Sequence, residues 1–113
     1  MIKRLTMKAW QRIIHKWAVS KGWWMPPERP LGEQIANMHS ELSEAWEAFR
    51  NGASLDFWFV KEGKPEGFGV ELADAVIRIL DTCEAYGIDL EKMIELKMKY
   101  NKTRPYRHGG KLA

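Results

Sequence analysis

The stretch that most constrains this chain is GVELADAVIRILDTCEAYG, residues 69–87. On a helical wheel at about 100° per residue, Leu72, Ala73, Val76, Ile77, Ile79, Leu80, Cys83 and Tyr86 cover more than half the circumference. A helix apolar over so wide an arc needs neighbours on several sides. Residues 68–86 are therefore expected to form the most buried helix of an all-α bundle. The narrow polar strip that remains holds Glu71, Asp74, Arg78 and Asp81.

The other helices follow from periodicity and stop signals. Residues 2–21 carry Leu5, Trp10, Ile13, Ile14, Trp17 and Ala18 at helical spacing, and Gly22 ends them. GWWMPPERP follows, and its three prolines make it a loop. A second helix is expected over 31–50, stopped at Asn51-Gly52. FWFV, residues 57–60, has an extended character but no evident strand partner. The third helix stops at Gly87, and a fourth spans 89–101 with Asp89 as its N-cap. Pro105 ends any continuation, leaving a basic tail over 102–113. The expected fold is a bundle of about four helices in a single domain, 1–113.

Composition excludes several classes. At 113 residues and 45% apolar, the chain suits one core. No apolar run approaches the ~20 residues of a membrane span. The opening MIKRLTMKAWQR mixes charge with apolar residues, unlike a secretory signal. The single cysteine, Cys83, forms neither an internal disulfide nor a cysteine metal site, so a reducing cytoplasmic setting is expected. A net charge of +3 suits an anionic partner but is too small to indicate nucleic acid by itself.

The second helix contains HSELSEAWEAFR, residues 39–50, with Glu41, Glu44 and Glu47 three residues apart. Ile35, Met38, Leu42, Ala45, Trp46 and Phe49 form one arc, expected to be the core face. Glu41 lies at its edge, with Glu44 and Glu47 each about 60° further round towards solvent. Asn37 and Ala48 share the acidic strip. Glu71 and Asp74 make a second pair on the third helix. Four carboxylates on facing helices repel one another unless some are protonated or a cation joins them. A hard divalent ion with oxygen ligands fits, and magnesium keeps positions open for phosphate and water. Against this stands a solvated edge, with Asp74 and Arg78 paired at i, i+4.

The fourth helix favours a site. Leu90, Met93 and Ile94 define its inward face, yet the same stripe continues into Lys97 and Asn101. A buried face that turns polar at one end suits a site lining, although a lysine near a helix C-terminus is welcome in any case. Arg104, Arg107 and Lys111 extend a cationic lobe. Acids for a metal beside bases for phosphates suit a nucleotide polyphosphate.

HSELSEAWEAFR, KPEGFGVELADAVIRILD and GIDLEKMIELKMKYNKTRPYRHGGK together resemble the MazG-like nucleotide pyrophosphohydrolases, the all-α NTP pyrophosphatases. The shared pattern is E-x-x-E, a spacer, E-x-x-D, then lysine and asparagine on the last helix and a nearby arginine. It covers roughly residues 37–111, and HGGK, 108–111, is similar to the tail of a small single-domain branch. The resemblance implies hydrolysis of a nucleoside triphosphate to monophosphate and pyrophosphate, with magnesium or manganese. It implies Glu41, Glu44, Glu71 and Asp74 as metal ligands, and Lys97, Asn101 and Arg104 at the substrate, with Lys111 as a further phosphate contact. It also implies a homodimer or homotetramer with sites between helices of adjacent protomers. Glu44 is the expected base, with Glu41 and Lys97 assisting the chemistry.

Trp23, Trp24 and Trp58 lie in loops where an indole can stack on a base or plug an end of the bundle; Trp24 is the expected substrate contact. His15, His39 and Cys83 read as structural, and Glu47 as solvated. A di-iron bundle needs E-x-x-H steps that neither His39 nor His108 supplies, and a zinc deaminase needs a C-x-x-C that is absent. The competing function is a non-catalytic helical adaptor that binds nucleic acid or a protein partner through KTRPYRHGGK.

Overall fold

The computed structural model describes residues 4–25 and 29–112, leaving aside the His108 side chain. It is mostly helical, with four long helices, a small two-stranded sheet and a single helical turn in the tail. Helix α1 (Met7–Ser20) opens where the Thr6 hydroxyl accepts from the Ala9 N–H at 3.1 Å. That cap satisfies a donor no helical carbonyl can reach, so the helix starts later than the expected residue 2. Residues 4–6 are not helical, and 2 and 3 lie outside the described residues. Helix α2 (Leu31–Arg50) matches its expected span. Helix α3 (Phe68–Ala85) ends one residue short of Tyr86. Helix α4 (Leu90–Asn101) is capped by the Asp89 carboxylate, which accepts from the Lys92 N–H at 3.1 Å. Helix α5 (Arg107–Gly110) is the turn in the tail.

The extended FWFV segment does have a partner. Strand β1 (Phe59–Lys61) pairs antiparallel with β2 (Lys64–Glu66) in the register Phe59 to Glu66, Val60 to Pro65 and Lys61 to Lys64. Glu62 and Gly63 join them at positive φ, 54° and 79°, as a tight hairpin turn requires. The hairpin delivers the chain to Gly67, the N-cap of α3, at φ 142°. A Cβ there would stand 2.7 Å from the Phe57 carbonyl oxygen. Only glycine lets the hairpin pass so close to the start of the helix.

Helix α3 is central, as its apolar girth predicts. It packs most extensively against α2 and also against α1, while α4 rests on α1. The residues removed from water are small: Ala18, Ala45 and Ala75 are at most 3% exposed, joined by Ile14, Leu80 and Cys83. Gln11, 3% exposed, ties α1 to the end of α3 by donating to the Ile88 carbonyl at 2.7 Å and the Glu84 carboxylate at 3.0 Å.

The expected core face of α2 is not buried within one chain. Ala45 is, but Ile35, Leu42, Trp46 and Phe49 remain between 44% and 58% exposed. The side of α2 withdrawn from water instead includes Gln34, Met38, Glu41, Ala45 and Ala48, a set that shares only Met38 and Ala45 with that arc. Small and polar side chains there let the backbones approach, and the large apolar ones face away. On α4 no residue is buried, and Met93 and Ile94 stay over 40% exposed. The accessible area is 9270 Å², against about 6,400 Å² for a folded monomer of this mass. The radius of gyration is 16.9 Å, where about 13 Å is usual for this length. Among the described residues, no helix is long and apolar enough to cross a membrane.

Candidate metal centre and adjoining cavity

The α2–α3 seam sets two rows of acid facing one another. Glu41 and Glu44 stand one turn apart on α2, and Glu71 lies in the first turn of α3, fixed in place by the Gly67 bend. Each offers one oxygen, and the three oxygens lie within 4.8 Å of one another. The expected grouping of carboxylates from two helices is present for these three. Asp74 is not among them; it lines a cavity that begins beside Glu41. Glu47 points away and pairs with Arg50 at 3.5 Å.

The electrostatic cost of this arrangement falls on Glu71. Its pKa is pushed up to about 7, first by burial, then by a hydrogen bond with Glu44 and the charges of Glu44, Asp74 and Glu41. A carboxyl that holds its proton more tightly in this way relieves the repulsion of its crowded neighbours. Asp74 is also raised, by burial and then by Glu41, with Lys64 and Arg78 acting in the opposite sense. Lys64 comes from the hairpin, so β2 adds a cation at the rim. Arg78 does not favour Asp74, the local i, i+4 partner. Its Nε donates to Glu41 Oε1 at 2.7 Å, across the seam.

The cavity is about 200 Å³, and its lining combines Trp17, Trp23 and Trp24 with Gln34, Glu41, Asp74, Arg78 and Asp81. Trp24 is held rigidly. Its Nε1–H donates to both Asp81 oxygens, at 3.0 and 3.1 Å, and the His15 Nδ1 lies 2.8 Å from Asp81 Oδ1. A carboxylate only accepts, so Nδ1 carries the proton. The His15 and Trp24 rings meet edge to face at 5.5 Å. Arg29 sits over the Trp23 ring at 5.1 Å, and Arg78 lies 6.0 Å from the same ring. A second hollow, about 310 Å³, adjoins at Trp24 and Arg29 and reaches Tyr86. Gln34 is only 7% exposed. Among the described residues its amide makes no side-chain hydrogen bond, although it lines the cavity. The orphaned buried atoms among the described residues are Gln11 Oε1 and Thr82 Oγ1; the Gln34 amide instead opens onto the cavity, where it offers a ligand a donor and an acceptor.

The cationic lobe lies elsewhere. Lys97, Asn101, Arg104 and Lys111 line neither cavity. Lys97 and Arg104 instead flank the Tyr100 ring at 5.1 and 5.8 Å. Trp58 is exposed on the hairpin approach, and His39 is exposed on α2. Four residues of the site have little signal in the sequence: Gln34, Arg78, Asp81 and His15. Arg78 and Asp81 stand on the polar strip of α3, and that strip is the only pointer to them. His15, expected to serve packing alone, is a hydrogen-bond partner for Asp81.

Comparison of the chain with protein-family models, with curated proteins and with solved structures gives no match.

Proposed function

We propose that this protein is a magnesium-dependent nucleoside triphosphate pyrophosphohydrolase, converting an NTP or dNTP and water to the monophosphate and pyrophosphate, and that it works as a homo-oligomer in the cytoplasm. The observation that carries this reading is the meeting of Glu41, Glu44 and Glu71 within 4.8 Å across two helices. The donor set is all carboxylate, which fits a hard ion such as magnesium, or manganese in its place. Glu41, Glu44 and Glu71 would hold it, with Asp74 beside them at the cavity edge. The chemistry such an ion would supply when bound is Lewis acidity towards phosphate oxygens and water. The resemblance to the MazG-like enzymes supplies the reaction type.

The chain's own residues have these tasks. Glu44, exposed and farther than Glu41 from the Arg78 contact, takes a proton from the attacking water. The water oxygen bonds to the α-phosphorus, the bond to the bridging oxygen breaks, and pyrophosphate leaves. Trp17, Trp23 and Trp24 offer aromatic surface for a base, and the Gln34 amide offers its edge a donor and an acceptor. Lys97, Asn101, Arg104 and Lys111 need a neighbouring copy of the chain to bring them to a phosphate. The surplus of exposed area, and the uncovered face of Ile35, Leu42, Trp46 and Phe49, suit such a copy, since obligate interfaces remove more than about 2,000 Å².

The test is pyrophosphate release from a panel of ordinary and modified NTPs, with and without magnesium. Glu44→Gln is expected to lower turnover on the order of 10³-fold while circular dichroism stays unchanged. Wild-type activity in that variant removes Glu44 from its role. One observation favours the adaptor: Lys97, Arg104 and Arg107 lie over the exposed rings of Tyr100 and Tyr106, a surface suited to a nucleic-acid strand. No magnesium-dependent turnover, with RNA or DNA binding that falls steeply with salt, would replace the enzyme by that reading.

A further inference from the structure

Arg78 makes the most enclosed arginine–carboxylate pair among the described residues. Its side chain is 31% exposed and that of Glu41 12%, whereas Arg29–Glu33 and Arg50–Glu47 join near neighbours on the surface. Asp74 stands one turn back on the same helix and feels Arg78's charge, yet the hydrogen bond goes to Glu41. The contact is single, through Nε and Oε1, so it leaves the other Glu41 oxygen open. The guanidinium also belongs to the cavity wall and lies near the Trp23 ring. One side chain therefore touches both the carboxylate cluster and the aromatic cavity.

We propose that Arg78 is a positioning residue that stands in for the divalent cation: it holds Glu41 while the carboxylate cluster has no ion, yields Glu41 when one binds, and turns its guanidinium into the cavity. The proposal rests on the cation reading of Glu41, Glu44 and Glu71. A guanidinium and a divalent ion on one carboxylate repel each other, and Glu41 cannot serve both at full strength. The cavity gives the displaced guanidinium a second seat, with the Asp74 carboxylate and the Trp23 face on its walls. There its donors meet acceptor atoms of whatever ring or sugar enters. Ion binding and ligand binding are then linked through one side chain, and each raises the affinity of the other.

Manganese binding without nucleotide, followed by calorimetry at fixed ionic strength, tests the competition. Arg78→Met is expected to bind the ion about 10-fold more tightly than the wild type, the scale of losing one opposing charge in contact. Arg78→Lys keeps the charge but loses the planar fork, and should fall between them. In the wild-type protein, the ¹⁵Nε resonance of Arg78 should shift on magnesium addition and saturate with the ion, which a purely structural arginine would not do. That measurement also stands if Arg78→Met does not fold. If the wild type binds manganese and neither variant binds it more tightly, or the resonance stays still at saturation, Arg78 does not compete and the cation reading survives. If neither wild type nor variants bind the ion, both fall. Binding by Arg78→Met alone supports the competition.

Discussion

The α2–α3 seam and the α4 region carry opposite charges and differ in how far they are withdrawn from water. At the seam, alanines and a glutamine are buried, carboxylates crowd, and a hydrogen bond reaches across 37 residues of sequence. Along α4 nothing is buried, and its cations lie over its own tyrosine. Charge crowded against a seam is held by the fold; charge on an open helix is held by little until something covers it. On the proposed reading, the seam is the half of the site that one chain completes, and α4 is the half that would need a second copy.

The comparison breaks most visibly at Lys97. If α4 reaches a phosphate in the assembled protein, Lys97→Ala should reduce turnover about 10²-fold, as loss of one charge-stabilising donor does. Steady-state kinetics alongside the mass of the assembly check this; unchanged rates would leave α4 outside the chemistry. Gly67→Ala probes the other side. It places a methyl against the Phe57 carbonyl and strains the start of α3, for an expected loss of about 1–3 kcal/mol in denaturant unfolding. An equal Gly69→Ala control, where a Cβ meets nothing within 4 Å, should be nearly silent. The smallest effect is the pH dependence of the ion-free seam. Glu71 binds its proton more tightly folded than unfolded, with a pKa raised from 4.5 to about 7. Its contribution to stability is therefore complete below about pH 4.5, declines as pH rises towards 7, and is gone above that. Glu71→Gln should flatten this slope in thermal melts between pH 5 and 8.

The acids were legible because helical spacing alone puts Glu41 with Glu44, and Glu71 one turn from Asp74. Helix ends were legible at Gly22, Gly52 and Gly87, and Asp89 read correctly as a cap. Arg78 was not: sequence offers Asp74 at i, i+4 as an equally good partner, and the choice of Glu41 depends on how α2 is rotated against α3. The same rotation hid Gln34, a polar residue in the seam where the apolar arc next to it looked like the core. Periodicity reports that an arc is apolar, not which molecule covers it. The hairpin was missed because Pro65 makes β2 a poor strand by composition, although the Glu62-Gly63 turn offered a signal.

Ala45 follows Glu44 and Ala75 follows Asp74, and both are nearly sealed from water. They act as shims whose thickness sets how far apart the two acid-bearing backbones stand. Oxygen–ion distances are about 2.1 Å for magnesium but about 2.4 Å for calcium, so a gap widened by a bulkier shim favours the larger ion. On the proposed cation reading, which metal the carboxylates would select is set in this way by side chains that carry no charge at all.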